Sequence, residues 1–209
     1  MKILICAGGT GGGIYPALAA AQALRRSAPE ADLLWLGGRG GMEEELVPRS
    51  GIPMRTIDAA GMHGVGWRAA PGNAVRLIRG TVEAWKQIGA FRADVVFVTG
   101  GYLSVPAAAA ARLRGVPIVV YVPDIEPAMA ARFAARFARR IAVTAEPSAV
   151  YYRKGAPVVV TGYPLREEVQ AATRAAGRST FGIPADEPVL LAFGGSRGAR
   201  SINRALLAA

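Results

Sequence analysis

The chain has 209 residues, 52% of them hydrophobic and 19% charged, and a formal net charge of +10 at pH 7. This composition excludes a disordered chain, and the single cysteine excludes an internal disulfide. Because no apolar run approaches the roughly 20 residues of a membrane span, we predict a soluble cytoplasmic protein. The length allows one full domain and part of a second, and the positive charge indicates either an anionic partner or a solvated arginine-rich surface.

Apolar segments alternate with helix-like segments along the chain. Most of the apolar runs are continuous, which is typical of strands buried on both faces of a sheet. Strands are predicted at 2–7, 32–37, 54–59, 94–100, 117–122, 140–145, 157–162 and 188–195. Helices are predicted near 16–27, 42–49, 73–91, 104–114, 127–138 and 166–176, and from about Arg200 to the chain end. This βαβα order predicts an α/β fold, a parallel sheet with helices on both faces.

Two of the predicted helices carry start signals. Glu43, Glu44 and Glu45 suit the positive N-terminal end of the second helix. Ser104, followed by Pro106, predicts an N-cap and an early proline for the fourth. Both signals agree with the helix positions that the apolar pattern predicts.

The segment TGYPLREEV, at 161–169, is predicted to be a domain boundary. Seven predicted strands precede it, and one helix, one strand, a glycine loop and the start of another helix follow. We therefore predict an N-terminal domain at 1–163 and the beginning of a second, truncated domain at 164–209. The alternative is that residues 165–209 complete the first sheet as an eighth unit, but the glycine pattern restarts there, which favours two domains.

Three glycine-rich loops stand where a predicted strand passes into a predicted helix: GGTGGG at 8–13, VTGGYLS at 98–104 and FGGSRGARS at 193–201. Ligands of an open parallel sheet bind beyond the carboxyl ends of its strands, and the N–H groups of a helix N-terminus attract phosphate. Glycines let a ligand approach the backbone, and Thr10 adds a hydroxyl. The loops therefore predict contact with a phosphate or diphosphate, the alternative being tight turns with nothing bound.

The glycine spacing excludes two common nucleotide-binding patterns. A G-x-G-x-x-G fingerprint fits neither register of the first loop, because Ile14 and Pro16 stand where its third glycine would be needed. The second predicted strand ends in Gly37, Gly38 and Arg39 rather than in an acidic residue for a ribose. A Walker loop is absent from the sequence, because no Gly-Lys-Ser/Thr triplet occurs. Neither a dehydrogenase nor a Walker-type nucleotide site is therefore predicted.

Five segments occur in the order in which one enzyme family carries them: GGTGGGIYPALA, WLGGRGGMEEELVPRSGI, DVVFVTGGYLSVPAAAAA, GYPLR and FGIPADEPVLLAFGGSRGARSIN. Together they cover nearly the whole chain, which resembles the MurG-type enzymes, the peptidoglycan N-acetylglucosaminyltransferases of bacteria. The resemblance implies a GT-B architecture of two Rossmann-like domains with a cleft between them. It also implies an inverting hexosyltransferase that uses no metal or other cofactor and moves N-acetylglucosamine from UDP-N-acetylglucosamine to undecaprenyl-diphosphate-muramyl-pentapeptide.

The resemblance also implies which positions bind substrate. In the family the first domain receives the lipid acceptor and the second holds most of the UDP-sugar, so this chain alone is not expected to transfer sugar efficiently. The substrate-binding positions implied here are Thr10, Gly11, Gly12, Gly13, Gly100, Gly101, Tyr102, Asp124, Arg166, Ser196, Arg197 and Gly198. The alternatives are a solvated helix-start arginine for Arg166 and an N-cap for Ser196.

Two positions depart from the family pattern and bear on the catalytic base. The family usually has a histidine where Gly13 stands, and that histidine is its favoured base. Its His-Glu-Gln-Asn segment aligns here with YVPD at 121–124. The candidate catalytic residues are therefore Asp124 and Glu126, because a carboxylate in a cleft can have a raised pKa; a local turn role is the alternative. His63, the only histidine, is expected to be a surface residue in an acceptor-side loop.

The segment 66–92 is predicted to contact a membrane. Family members dock on the inner leaflet through an apolar patch ringed by basic residues. The matching apolar residues here are Trp67, Leu77, Ile78 and Trp85, and the matching basic residues are Arg68, Arg76, Arg79, Lys86 and Arg92. The alternative is an ordinary helix that packs its apolar face on the sheet. Membrane contact and packing on the sheet are both possible if the helix has two apolar faces. The expected partners are an anionic inner-leaflet surface, a polyprenyl-diphosphate-linked sugar and a UDP-sugar, and no nucleic acid is expected to bind. The protein is expected to be peripheral, on the inner face of the cell membrane.

Gly13 and the YVPD segment leave two rival hypotheses open. One is a related glycosyltransferase with a different lipid or polyprenyl-sugar acceptor. The other is a non-catalytic homologue that keeps the membrane and diphosphate sites. A full-length form would distinguish them, because it would transfer sugar to the muramyl-pentapeptide lipid, transfer it to another acceptor, or only bind.

Overall fold

The structure is a computed structural model that describes residues 1–59, 70–194 and 198–208, with the backbone alone for 70–74. The chain divides into two compact units, Met1–Arg166 and Glu167–Ala209. A compact unit is not by itself a domain, so the domain boundary after residue 163 stays a prediction.

The first unit contains one parallel sheet. Its strands are β1 (Lys2–Cys6), β2 (Asp32–Gly38), β3 (Met54–Ile57), β4 (Val95–Val98), β5 (Ile118–Val122), β6 (Arg140–Val143) and β7 (Val158–Val160). Their order across the sheet is β3-β2-β1-β4-β5-β6-β7, and each neighbouring pair is parallel. The predicted parallel α/β sheet is therefore confirmed. The strand order reverses between β1 and β4, where the loops leave the sheet in opposite directions and open a crevice.

Helices cover both faces of this sheet. They are α1 (Gly11–Ser27), α2 (Glu43–Leu46), α3 (Ala70–Phe91), α4 (Ser104–Leu113) and α5 (Met129–Ala135), with 3-10 turns at Pro48–Ser50 and Glu146–Tyr151. Neighbouring residues of a strand point to opposite faces, so β1 contributes to two cores. Ile3 and Ile5 pack in a cluster with α1, whereas Leu4 and Cys6 pack in a cluster with α3, α4 and α5.

Helix α1 begins at Gly11, earlier than the predicted start at residue 16. Thr10 is its N-cap residue, with extended backbone, and the N–H groups of Gly13 and Ile14 both donate to the Thr10 carbonyl at 3.2 Å. The prediction was wrong here because an apolar pattern cannot detect a first turn made of glycines. The consequence is that half of the first glycine loop is helix N-terminus.

Ser104 does not cap α4 in the predicted way. It is the first helical residue and is buried, and its hydroxyl donates to the Gly100 carbonyl at 2.6 Å. The residue in the N-cap position is Leu103, which makes no side-chain cap. The Ser104 hydroxyl does not cap the helix because the turn before α4 brings the Gly100 carbonyl within hydrogen-bond distance of it.

The second unit contains α6 (Glu167–Ala171), α7 (Arg174–Phe181) and α8 (Arg200–Leu207). The helix predicted at 166–176 is interrupted, because Thr173 adopts an extended backbone and its hydroxyl accepts the Ala176 N–H at 3.2 Å as an N-cap. The strand predicted at 188–195 is irregular over its described residues 188–194, and Leu190 is 84% exposed there. A strand needs a hydrogen-bonded neighbour, and the described part of this unit offers none. Across the described residues, no helix combines the length and apolar character needed to cross a bilayer.

Candidate functional site

A cavity of about 320 Å³ opens at the carboxyl edge of the sheet, where the strand order reverses. Three chain segments that follow β1, β4 and β5 build most of its wall, and Tyr163 adds an aromatic side. The lining residues are Gly8, Thr10, Gly12, Gly13, Thr99, Gly100, Gly101, Val122, Pro123, Asp124, Ala128, Ala131 and Tyr163. The first two predicted glycine loops therefore meet in one site, together with the end of β5.

The first loop presents the N-terminus of α1 to this cavity. The first N–H groups of a helix have no acceptor within the helix, which applies to those of Gly11 and Gly12. Because α1 runs for 17 residues, its dipole adds positive potential at the same point. A Cβ placed on Gly12 would meet the Thr10 hydroxyl at 3.8 Å and no closer atom. This end of the cavity is thus open to an anionic group.

The second loop packs directly against the first. Gly100 and Gly101 have φ values of +85° and +75°, a left-handed conformation that suits glycine. A Cβ on Gly101 would stand 2.9 Å from the Gly8 carbonyl. The Thr99 hydroxyl donates to the Gly13 carbonyl at 2.9 Å and ties the loops together. The close approach therefore depends on residues without side chains.

Among the described residues, Asp124 supplies the one carboxylate in the cavity wall. This side chain is exposed, and it makes no hydrogen bond or ion pair with another described residue. Glu126 is not part of the wall. Its Oε1 accepts a 2.9 Å hydrogen bond from a guanidinium nitrogen of Arg132. The geometry therefore favours Asp124 over Glu126 as a group that could take a proton from a bound ligand, and both catalytic roles stay predictions.

The aromatic wall is held by a buried tyrosine behind it. The ring of Tyr163 stands edge-on to that of Tyr121, with centroids 6.5 Å apart. The Tyr121 hydroxyl hydrogen-bonds the Thr144 hydroxyl at 3.0 Å and donates to the Gly162 carbonyl at 3.4 Å. Burial raises the pKa of Tyr121, against the lowering effect of the Thr144 hydrogen bond, and the nearby Asp124 charge raises it further. Tyr121 therefore stays a neutral hydrogen-bonding support at physiological pH.

A family model for the glycosyltransferase family 28 N-terminal domain matches residues 3–143. The match includes both glycine loops of the cavity and Asp124. The chain belongs to this family. The family resemblance predicted from the sequence motifs is thereby confirmed.

Curated relatives match nearly the whole of this chain, which covers only part of their length. The UDP-N-acetylglucosamine–N-acetylmuramyl-(pentapeptide) pyrophosphoryl-undecaprenol N-acetylglucosamine transferase of Moorella thermoacetica is 40% identical over 208 residues, covering 99% of this chain and 56% of the relative. The protein of the same name from Desulforudis audaxviator is 41% identical over 211 residues, again covering 99% and 56%. The chain thus spans about half the length of the curated relatives it matches.

Solved structures with a similar fold include MurG of Acinetobacter baumannii, with a TM-score of 0.65 and 24% identity over 81% of this chain and 47% of that one. A putative UDP-N-acetylglucosamine 2-epimerase from Listeria monocytogenes has a TM-score of 0.61 and 15% identity, covering 78% of this chain and 45% of that one. At such identities the likeness establishes the fold alone. The Rossmann-like α/β fold is confirmed by it.

Three further predicted substrate contacts in the first unit of this family 28 chain do not line the cavity: Gly11, Tyr102 and Arg166. The Arg166 guanidinium stacks over the ring of Tyr15 in α1, 4.5 Å from its centroid. Tyr102 lies beside the first loop, where a Cβ on Gly9 would meet its ring at 2.9 Å. Ser196 and Arg197 lie outside the described residues, as does His63, and Gly198 belongs to the second unit. Their substrate roles stay predictions.

Glu43 begins α2, so the acidic helix start predicted from the sequence is confirmed, but its burial was not predicted. The side chain is fully buried. Its Oε1 accepts the Gly38 N–H at 2.7 Å, and its Oε2 accepts the Gly9 N–H at 3.2 Å. The signal that could have found it is the surplus of glycines at 8–9, 37–38 and 40–41, which leaves room for one long side chain.

Helix α3 has two apolar faces. Gly80, Ala84 and Ile88 are buried on one, and Leu77 is partly buried. The other face carries exposed apolar side chains at three- and four-residue spacing, which we call the outer stripe: Val75, Ile78, Val82 and Trp85. The basic residues Arg76, Arg79 and Lys86 are exposed on the same helix, whereas Trp67 and Arg68 lie outside the described residues.

The outer stripe is extended by the end of α4. The Arg114 guanidinium stacks 3.6 Å from the centroid of the Trp85 ring and donates through Nε to the Trp85 carbonyl. Leu113, beside it, is 73% exposed. The end of α4 therefore adds a cation to the outer stripe, next to an exposed leucine in the chain, a feature that the single-helix pattern did not reveal.

Proposed function

We propose that this chain is the acceptor-binding part of an inverting glycosyltransferase that moves N-acetylglucosamine from UDP-N-acetylglucosamine to undecaprenyl-diphosphate-muramyl-pentapeptide. The observation that carries the proposal is the cavity in which the N-terminus of α1, the Gly100–Gly101 turn and the Asp124 carboxylate face one space. The names of the curated relatives support the substrate pair.

The lipid diphosphate is proposed to bind against the first loop. The Gly12 N–H and the Thr10 hydroxyl, both in the cavity wall, supply donors, and the helix dipole attracts the charge. The N–H of Gly13 donates to Thr10, so Gly13 would contribute space rather than a donor. Tyr163 and Pro123 offer apolar surface to the sugar.

In the proposed reaction, Asp124 takes the proton of the acceptor hydroxyl as its oxygen attacks the anomeric carbon of the donor sugar. The new bond joins that oxygen to the anomeric carbon, and the bond from that carbon to the diphosphate breaks with inversion. UDP leaves with the electron pair, so the step needs no oxidant or reductant, and the family resemblance implies that it uses no metal. General base catalysis of this kind contributes about two to four orders of magnitude in rate. The donor contacts proposed for Arg166, Ser196, Arg197 and Gly198 rest on the family resemblance alone.

The outer stripe is proposed to rest on the inner leaflet of the cell membrane, so that the protein works peripherally on the cytoplasmic face. Ile78 and Trp85 would enter the interface, while Arg76, Arg79 and Lys86 would face anionic headgroups. Each cation near such a surface contributes about 1 kcal/mol. The membrane would thus bring the site to its lipid-linked acceptor.

The first test measures binding of a soluble polyprenyl diphosphate, farnesyl diphosphate, with farnesol as the matched ligand that lacks the diphosphate. We expect preference for the diphosphate, and loss of that preference in Gly12→Ala, whose methyl enters the cavity without a clash. Gly177→Ala is the control, because it also changes an open helical glycine. Equal binding of the two ligands by the unaltered chain would overturn the diphosphate site.

The second test measures transfer itself. The chain is continued by the C-terminal part of the Moorella thermoacetica relative, and UDP release is followed with and without muramyl-pentapeptide lipid. Acceptor-dependent release supports the proposed reaction. Binding of the lipid without release favours the non-catalytic homologue, and release only with another polyprenyl sugar favours a changed acceptor.

A further inference from the structure

The glycines of the first two loops and those at and just after the end of β2 serve two different purposes. One group surrounds the carboxyl of Glu43. A Cβ on Gly37 would stand 2.6 Å from the Glu43 Cγ, one on Gly41 would stand 2.5 Å from its Cδ, and one on Gly8 would overlap its Oε1. These three glycines therefore make room for a buried side chain.

The other group faces the cavity. A Cβ on Gly12 would meet the Thr10 hydroxyl at 3.8 Å, and one on Gly100 would meet the Ala131 Cβ at 3.9 Å. Both are ordinary van der Waals distances, so the absence of a side chain at these positions leaves space for a ligand rather than for Glu43. The pattern GGTGGG thus combines a pocket for a carboxylate with a pocket for a substrate.

Glu43 holds the backbone immediately before α1. Gly9 has a φ of +88° and directly precedes Thr10, the N-cap residue. The bond from the Gly9 N–H to Oε2 fixes this left-handed residue from one side, and the ring of Tyr102 packs on it from another. The bond from the Gly38 N–H to Oε1 anchors the same carboxylate to the end of β2. Loop, strand end and helix start are therefore joined through one carboxylate.

We propose that Glu43 is a positioning residue that sets the orientation, toward the diphosphate, of the Thr10 hydroxyl and of the free N–H group of Gly12, both of which line the cavity. The inference rests on the proposed function, because it concerns the same ligand. By occupying the Gly9 N–H, the carboxylate also determines which backbone donors remain for the ligand. Glu43 contacts no ligand itself, since it is not part of the cavity wall.

The test compares Glu43→Gln with Glu44→Gln, its exposed neighbour on α2. The amide keeps the size of the side chain but turns one acceptor into a donor that opposes an N–H. We expect the Kd for farnesyl diphosphate to rise about tenfold or more in Glu43→Gln, and to stay within about twofold in Glu44→Gln. Farnesol binding should be unchanged in both variants. A general loss of structure would weaken the binding of both ligands, whereas a misplaced loop would weaken only the binding of the diphosphate. Binding is measured below the unfolding temperature of each variant.

Amide hydrogen exchange of the unaltered chain keeps the inference testable if Glu43→Gln does not fold. Without ligand, the Gly9 and Gly38 amides should be protected, although both adjoin a loop. Exchange of these amides at the rate of open loop amides, or an unchanged diphosphate Kd in folded Glu43→Gln, would overturn the role of Glu43. Failure of the unaltered chain to prefer the diphosphate, with both amides protected, would instead overturn the proposed function and the ligand role that depends on it.

Discussion

The hydroxyl of Thr99, at the end of β4, donates a 2.9 Å hydrogen bond to the carbonyl of Gly13 in α1. This bond joins two glycine loops that are 86 residues apart in the chain, at the point where the strand order reverses. The family resemblance implies a histidine at the position of Gly13, and a Cβ there would lie 3.3 Å from the Thr99 hydroxyl. The two residues together shape the floor of the cavity.

Thr99→Val should weaken the link between the loops while keeping the shape of the side chain. Loss of one hydrogen bond costs about 1 kcal/mol of unfolding free energy, measured by urea denaturation. The affinity for farnesyl diphosphate should fall severalfold as the loops move apart. Thr81→Val is the control, since its hydroxyl bonds to the Leu77 carbonyl within α3, away from the cavity. Equal diphosphate affinity in the two variants would contradict the linking role.

Asp124→Asn should remove the catalytic base without emptying the site. In the chain continued by the C-terminal part of the Moorella thermoacetica relative, we expect turnover to fall by about two to four orders of magnitude. Lipid binding should persist, because the amide preserves size. Glu126→Gln is the matched variant, and its turnover should change little, since Glu126 pairs with Arg132 outside the cavity wall. The opposite pattern would assign the base to Glu126.

Replacing the outer stripe should reduce membrane binding without affecting the fold. Ile78 and Val82 are both exposed, so the double variant Ile78→Ser, Val82→Ser removes apolar surface from water and costs no core packing. Co-sedimentation with phosphatidylglycerol vesicles should fall, and Val150→Ser, a change at an exposed valine on a 3-10 turn, should leave it intact. Binding that does not depend on anionic lipid would count against the inner-leaflet surface.

Cys6 should make stability depend on pH in the alkaline range. Burial, and secondarily the charge of Glu43, raises the pKa of this thiol far above its ordinary value of 9.0. The folded state therefore keeps the proton that the unfolded state loses. The resulting stability is complete below pH 9 and decreases above it, by about 1.4 kcal/mol per pH unit.

Cys6→Ala should flatten this decrease when the free energy of unfolding is measured between pH 8 and pH 10. Three tyrosines also have a raised pKa: Tyr102, Tyr121 and Tyr152. Because tyrosine ordinarily titrates near 10.0, the variant should keep a smaller decrease of unfolding free energy with pH close to pH 10. An identical slope in the variant would show that the thiol is not protected by burial. The same burial predicts no reaction of Cys6 with iodoacetamide in the folded chain.

Several features were determined by the sequence alone. Continuous apolar runs such as 2–7 and 117–122 predicted strands of a parallel sheet, because residues buried on both faces must all be apolar. The glycine runs at 8–13 and 98–104 predicted loops at strand ends, since each lies between an apolar run and a helix-like segment. These signals are local, because each depends on the side chains of a few consecutive residues.

Other features were decided only by the tertiary structure. That β1 and β4 are neighbours, so that their two loops meet, depends on strand order, which no local pattern contains. Glu43 begins a helix as predicted, but only the fold buries it and bonds it to the N–H groups of Gly9 and Gly38. On α3, Ile78 is more exposed than Leu77. The run at 188–194 has a strand-like sequence but no strand beside it in the described part of its unit. Apolar patterns specify what can be buried, whereas burial and pairing require partners that only the folded chain brings together.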